Sequence, residues 1–302
     1  MTDSIILSHL QRVRASQTAR GGFADRPDGQ YRPDCTAWAI LILQTQTQDT
    51  EQIDHARARL AAELHTDGRL CISPEHPDAI WPTPLAILAW TGASAYQDAR
   101  TRAIQFLLQV QGTHWEKDPT NTIIGHDPSI PGWPWVMQTH SWVYPTALSI
   151  VALTSAGIRE HPRIHQGIQL LLDRQLAQGG WNYGNTTVWG RELHPFPETT
   201  GIALNALAGH VPSDIVARSL AYLLEVLPSI RTPLSLGWGL LGLSAWRRTP
   251  AQAAHWISEC LARQRRYGEY ETVSLCVLLA AALAPRGLSS LLPSPGESES
   301  RP

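Results

Sequence analysis

The chain has 302 residues, with 24 basic against 26 acidic side chains and a formal net charge of −2. That length is enough to bury a sizeable core, and the balanced charge, with no basic block, argues against a nucleic-acid partner. The longest apolar run, VSLCVLLAAALA, falls short of the ~20 residues that cross a bilayer. The start, MTDSIILSHLQRVRAS, has no signal-peptide pattern, so the expected location is cytoplasmic, with peripheral membrane contact left open.

Along the chain, two kinds of helical segment alternate. IILSHLQRVRA precedes DCTAWAILIL (34–43), HARARLAAELH precedes WPTPLAILAW (81–90), and ARTRAIQFLLQVQ precedes YPTALSIVAL (144–153). IHQGIQLLLDRQ then precedes ETTGIALNAL (198–207), DIVARSLAYLLEVL precedes LSLGWGLLGL (234–243), and AAHWISECLARQ precedes YETVSLCVLL (270–279). The first member of each pair is amphipathic. In the fourth, Ile164, Ile168, Leu171 and Leu172 share a face, and Gln166, Gln169, Asp173 and Arg174 are expected to face away. The second member is apolar nearly all round and should be buried on both sides. Its anchors are Thr36, Thr83, Thr146, Thr200, Leu236 and Thr272, read as residues at or near helix starts, where Thr and Asp cap backbone N–H groups.

This pattern predicts an all-α fold, an (α/α)6 toroid of six helix pairs with an apolar inner ring and an amphipathic outer ring. It occupies residues 1–286 as a single domain, and residues 287–302, ending PSPGESESRP, form a disordered tail. In several pairs the turn is built by Gly and an aromatic, as in Gly179-Gly180-Trp181, Gly21-Gly22-Phe23 and Gly112 with Trp115, where glycine supplies a left-handed cap; in the first of these Gln175 reaches unpaired backbone groups. The four cysteines are scattered with no C-x-x-C pair, which reads as free thiols.

Two connections are long, about 113–143 and 179–197, and both lead into apolar helices. Long ordered loops are usually functional, and these hold Trp133, Trp135, Trp142, Tyr144, Trp181, Tyr183 and Trp189, the candidate walls of a substrate cavity. Six helix N-termini at that end favour an anionic group. Asp34, His126, Asp127 and His140 are the candidate catalytic groups, with His194, Glu198 and Glu271 nearby in sequence to helix starts. Carboxylates at helix starts are also expected as caps.

The segment GIQLLLDRQLAQGGW (167–181) resembles the QW repeat of squalene and oxidosqualene cyclases, and AIQFLLQVQG (103–112) is a second match. The helix pairs also resemble the β subunits of protein prenyltransferases. The resemblance covers about residues 5 to 285 and implies the toroid of terpenoid cyclases, with an isoprenoid-like, hydrophobic small-molecule partner. It further implies a terpene-cyclase-like enzyme in which Asp34 is the acid. Class II cyclases carry Asp-x-Asp-Asp-Thr-Ala, but this chain reads Arg32-Pro33-Asp34-Cys35-Thr36-Ala37, keeping only Asp34, Thr36 and Ala37. Losing two carboxylates opens the alternative of a non-catalytic binding or scaffold protein. A second alternative is a zinc-dependent prenyltransferase-like subunit, with Cys35, Asp34, His126, His140, His194 or Asp127 as ligands. No Asp-x-Cys spacing of that family and no D-D-x-x-D stretch is present, so neither a cofactor nor a metal site is assigned.

Overall fold

The computed structural model describes residues 2–46, 49–118, 120 and 123–293. The elements in order are α1 (Thr2–Ala15), α2 (Pro33–Leu43), α3 (Thr50–Ala62), α4 (Pro82–Ala89), α5 (Gln97–Gln109), α6 (Val143–Ser155) and α7 (Pro162–Asp173). There follow β1 (Thr187–Val188), β2 (Arg191–Glu192), α8 (Pro197–Leu207), α9 (Ala217–Val226), α10 (Pro233–Ala245), α11 (Ala253–Ala262), α12 (Gln264–Tyr267) and α13 (Thr272–Leu283).

The expectation of an all-α toroid of six helix pairs is therefore corrected. The long connection before α8 folds back on itself as an antiparallel hairpin, with Thr187 opposite Glu192 and Val188 opposite Arg191. Ile124 of the other long connection bridges to Val188, so the two loops are joined by backbone pairing. The last amphipathic segment breaks into α11 and α12, giving thirteen α-helices among the described residues rather than twelve. The physical reason is loop length. A connection of this span cannot leave its backbone groups unpaired near a packed surface, and a hairpin satisfies them locally.

The apolar helices α2, α4, α6, α8, α10 and α13 touch in succession, and α13 also touches α2. Every residue of α2 and α4 is buried, as a helix apolar all round requires. The contact between α8 and α10 is the tightest. A Cβ on Gly201 would stand 2.0 Å from the Trp238 carbonyl oxygen, and one on Gly242 2.7 Å from the Gly201 Cα. Only glycine lets these two backbones meet.

Each Thr anchor lies inside its helix rather than at the cap. Thr36 Oγ1 accepts from the Phe23 N–H at 2.8 Å, Thr83 from Leu70 at 2.9 Å, Thr146 from Trp133 at 3.0 Å and Thr200 from Trp181 at 2.9 Å. The same hydroxyls lie within donating reach of the carbonyls of those four residues. The sequence separation is 13 residues in the first three cases and 19 in the fourth. The side chains so fastened, Phe23, Leu70, Trp133 and Trp181, are almost wholly buried between helices. The residues that precede α2, α4, α6 and α8 make no side-chain cap bond.

The turn at Gly179-Gly180 is left-handed at both glycines, φ 98° and 81°. A Cβ there would meet the Arg218 carbonyl or the Thr200 hydroxyl below 3.0 Å. Gln175 donates to Ser219 Oγ at 2.8 Å and to the Ile215 carbonyl at 3.3 Å, tying the turn after α7 to the start of α9.

The buried stripe of α7 differs from the one read in the sequence. Arg163, Ile164, Gly167, Leu170 and Leu171 are buried, Ile168 and Leu172 only partly so, and Arg174 is 6% exposed rather than facing away. Leu288 and Leu291, assigned to the tail, are buried, and the Leu288 N–H donates to Asn205 Oδ1 at 2.9 Å. The remainder of that tail, 294–302, lies outside the described residues.

Candidate functional site

Five aromatic rings form an unbroken column between the apolar helices. Trp38 of α2 meets Trp238 of α10 edge to face at 5.6 Å, and Trp238 meets Tyr144 of α6 at 5.8 Å. Tyr144 stacks on Trp135 at 4.8 Å with 17° between planes, and Trp135 meets Trp81 at 5.7 Å. Trp38 and Trp238 are each 1% exposed, whereas Trp81, Trp135 and Tyr144 are partly accessible at the end where the apolar helices begin. The expected hollow is thus filled by side chains at the level of Trp38 and Trp238. Burial pushes the Tyr144 phenol well above its usual range, with Asp34 adding to the shift.

Asp34 stands in the first turn of α2, 5% exposed. Arg32 clamps it with both ends of its fork, Nε to Oδ1 at 3.0 Å and Nη2 to Oδ2 at 2.6 Å, and Oδ1 also accepts from the Cys35 N–H at 2.9 Å. The residue that replaces the first carboxylate of the cyclase motif is therefore the partner of the one that remains. The guanidinium is in turn raised by that pairing. Oδ1 thus accepts two bonds and Oδ2 one, a charge-assisted bidentate pair.

The same end holds the two further carboxylates that the sequence places at helix starts. Glu198 lies in the first turn of α8 and accepts from Ser235 Oγ at 2.7 Å, while Glu271 precedes α13 and accepts from Ser274 Oγ at 3.2 Å. Acids thus stand at the starts of α2, α8 and α13, while α4, α6 and α10 carry none in their first turns. Beside the rings, a groove of about 840 Å³ is lined by Trp81, Tyr31 and Val136 and by the charged Asp25, Arg26, Asp28, Arg32 and Glu75.

The remaining candidates divide three ways. Trp133 and Trp181 are wedges in the core, 1% and 0% exposed. Their indole N–H groups donate to the Leu107 carbonyl at 2.8 Å and the Leu171 carbonyl at 2.6 Å, so neither lines a cavity mouth. Arg163 lies 4.1 Å over the Trp133 ring, and burial lowers its guanidinium to about 10. Tyr183 is 48% exposed and tilts against Phe196 at 5.5 Å, and Trp189 is 75% exposed on the hairpin turn at φ 52°.

His126, His140 and Trp142 gather at a second place, on the flank, around a cavity of about 220 Å³ shared with Trp115 and Arg174. His126 is 6% exposed, and its Nδ1 has no hydrogen-bond partner among the described residues. Burial first, and the Arg174 charge second, push its imidazole down to about 4, so it is neutral at pH 7. Asp127 turns away from this cavity to accept from Ser129 N and Oγ at 2.9 and 2.7 Å, bonds that lower its carboxyl.

Among the described residues no three His, Cys, Asp or Glu side chains gather at metal-binding spacing. The zinc alternative therefore has no ligand set here. All four cysteines are free and buried, and burial raises the Cys35 thiol, the reverse of what a zinc thiolate needs. Among the described residues, too, no helix is long and apolar enough to cross a membrane.

The structure also brings in residues the sequence reading passed over: Trp38, Trp81, Trp238, Arg32 and Arg174. Trp38 sits one helical turn after Asp34, a spacing that puts both on one face, and that signal was available. Arg174 carried none, because its neighbours read as a solvated face.

No family model matches the sequence, and no curated protein matches it. Solved structures do match. A variant of the type II terpene cyclase MstE from Scytonema, bound to geranylgeranyl dihydroxybenzoate, has a TM-score of 0.63 at 17% identity, over 96% of each chain. The fold is terpene-cyclase-like. A protein from Actinoplanes matches at 0.62 and 15% identity over 96% of this chain and 98% of that one. An alpha-amylase from Clostridium perfringens matches at 0.61 and 11% identity over 93% and 97%. At these identities the likeness extends to the fold alone, and the fold serves dissimilar chemistries.

Proposed function

We propose that the protein binds a neutral isoprenoid, or a similarly apolar chain, against the accessible rings Trp81, Trp135 and Tyr144, and does not protonate it. The observation that carries this reading is the clamp of Arg32 on Asp34 beside those rings: the motif's one surviving carboxylate is held as a salt bridge. Support for the ligand class comes from the aromatic faces, which bind apolar chains over large areas. Support also comes from the terpene cyclase that shares the fold and holds a geranylgeranyl compound. With Asp34 held by Arg32, the carboxylates of Glu198 and Glu271 remain at this end, and they favour a free alcohol or hydrocarbon over a diphosphate.

The test is native mass spectrometry of the purified chain with geranylgeraniol, squalene and geranylgeranyl diphosphate, together with chromatography of the extracted lipids. The alcohol and the hydrocarbon are expected to bind more tightly than the diphosphate, with about a tenfold loss in Trp135→Ala, and to be recovered unchanged. Failure of all three to bind overturns the reading. A cyclised product that disappears in Asp34→Asn replaces it with the cyclase.

A further inference from the structure

The flank cavity has a chemistry of its own. It is walled by the rings of Trp115 and Trp142 and the side chains of Ile124, Pro128 and Ile130, and it holds about 220 Å³. That is space for roughly seven waters at ~30 Å³ each, or one substituted ring. Among the described residues no acidic side chain lines it, whereas Arg174, His126 and His140 do.

Its donors are also underused. Arg174 gives one N–H to the Gly184 carbonyl at 2.7 Å and one to the Asp127 carbonyl at 3.3 Å, while its Nε has no acceptor in hydrogen-bonding geometry despite Asp173 Oδ2 at 3.2 Å. A guanidinium has five N–H groups, so capacity remains on a side chain that is 6% exposed. His126 is equally buried with an unpartnered Nδ1. Ser141 Oγ accepts from the Gly132 N–H at 2.9 Å, which leaves its own proton to give. Two buried polar side chains with spare capacity around one cavity is an arrangement that native cores avoid unless something fills it. The charges felt at His126 lean positive, with Arg174 and Lys117 against Asp127.

We propose that this cavity is a binding site for a small carboxylate carrying a flat apolar body, of about the size of benzoate. The carboxylate takes the free N–H groups of Arg174, a charge-assisted pairing. His126 and Ser141 add donors. The ring lies between Trp115 and Trp142, edge or face on. Trp115 is 45% exposed and His140 is exposed, so the pair, 5.0 Å apart, forms the outer wall through which a ligand enters. The site is separate from the ring column and does not rest on the reading given to it.

The probes are benzoate, benzamide, which has the shape without the charge, and inorganic phosphate, which has charge without the ring. Calorimetric titration of the full chain at pH 7 is expected to give a benzoate Kd below about 1 mM, with the other two at least about tenfold weaker. Benzoate should also move the ring resonances of His126. Arg174→Gln is expected to abolish binding. Should that buried change prevent folding, Trp115→Ala, at an exposed wall, is expected to weaken benzoate about tenfold with the melting temperature unchanged. Equal affinity for benzoate and benzamide, unchanged affinity in Trp115→Ala, or no binding at about 10 mM overturns the proposal.

Discussion

Burying His126 makes stability depend on pH, and the size and sign follow from its surroundings. The imidazole falls from 6.5 to about 4 on folding, because burial and then Arg174 oppose the charged form. The unfolded chain therefore takes up a proton first as pH is lowered. The contribution is fully present above pH 6.5, is lost as pH falls through the window down to about 4, and changes no further below it. At 1.36 kcal/mol per unit, the full loss is on the order of 3 kcal/mol. Asp127, His210 and other groups titrate as well, so the test is a difference. Urea unfolding is measured at pH 7.5, 5.5 and 4 for the wild type and His126→Gln, whose amide does not titrate. The wild type is expected to lose on the order of 3 kcal/mol more than the variant over that range. Parallel pH profiles, or a His126 resonance that titrates at 6.5 or above, refute the reasoning.

Three further outcomes follow from the geometry. Thr146→Val keeps the volume but leaves the buried Trp133 N–H without its acceptor, and should cost about 1–3 kcal/mol in chemical denaturation; a cost near zero removes the hydroxyl's role. Gly201→Ala puts a methyl 2.0 Å from the Trp238 carbonyl oxygen, and either at least about 3 kcal/mol is lost or the chain fails to fold; a melting temperature like the wild type's contradicts the close approach of α8 and α10. Trp189→Asn relieves a bulky residue at φ 52° and should stabilise the hairpin by about 1 kcal/mol, read as slower amide exchange at Val188 and Arg191; faster exchange shows that the indole holds the turn.

The alternation of amphipathic and apolar segments was legible because burial on two faces leaves no polar position to hide. WPTPLAILAW and TVSLCVLLAAAL have few alternatives to a buried helix. The Thr anchors were visible as a repeat, but their work was not. A cap and an internal clasp place the same residue type within one turn of a helix start, and only the partner, Phe23 or Trp133 far upstream, distinguishes them. The hairpin of residues 187–192 was hidden because Val188-Trp189-Gly190-Arg191 lacks the Asn or Asp that favours such a turn. At the site, Asp34 was found by motif, yet its meaning depended on Arg32, a residue noted only as a departure. Aromatic content alone could not separate Trp135, which is accessible, from Trp133, which is a wedge, because they are two residues apart in one loop. Arg174 was misjudged for a general reason: an arginine late in an amphipathic helix is solvated unless another segment covers it, and here a distant loop does.

The threonine clasps bear on how such a chain changes. Each one ties both ends of a connecting segment to one hydroxyl, so whatever is strung between them transmits little to the framework. The segment closed by Thr200 spans 19 residues where the others span 13, and it accommodates a hairpin without moving Trp181 from its slot. The entropic penalty of lengthening grows only with the logarithm of length, about 0.6 kcal/mol per doubling. Rigidity and selectivity are thereby kept in separate compartments, and the rim is the place to graft a new specificity.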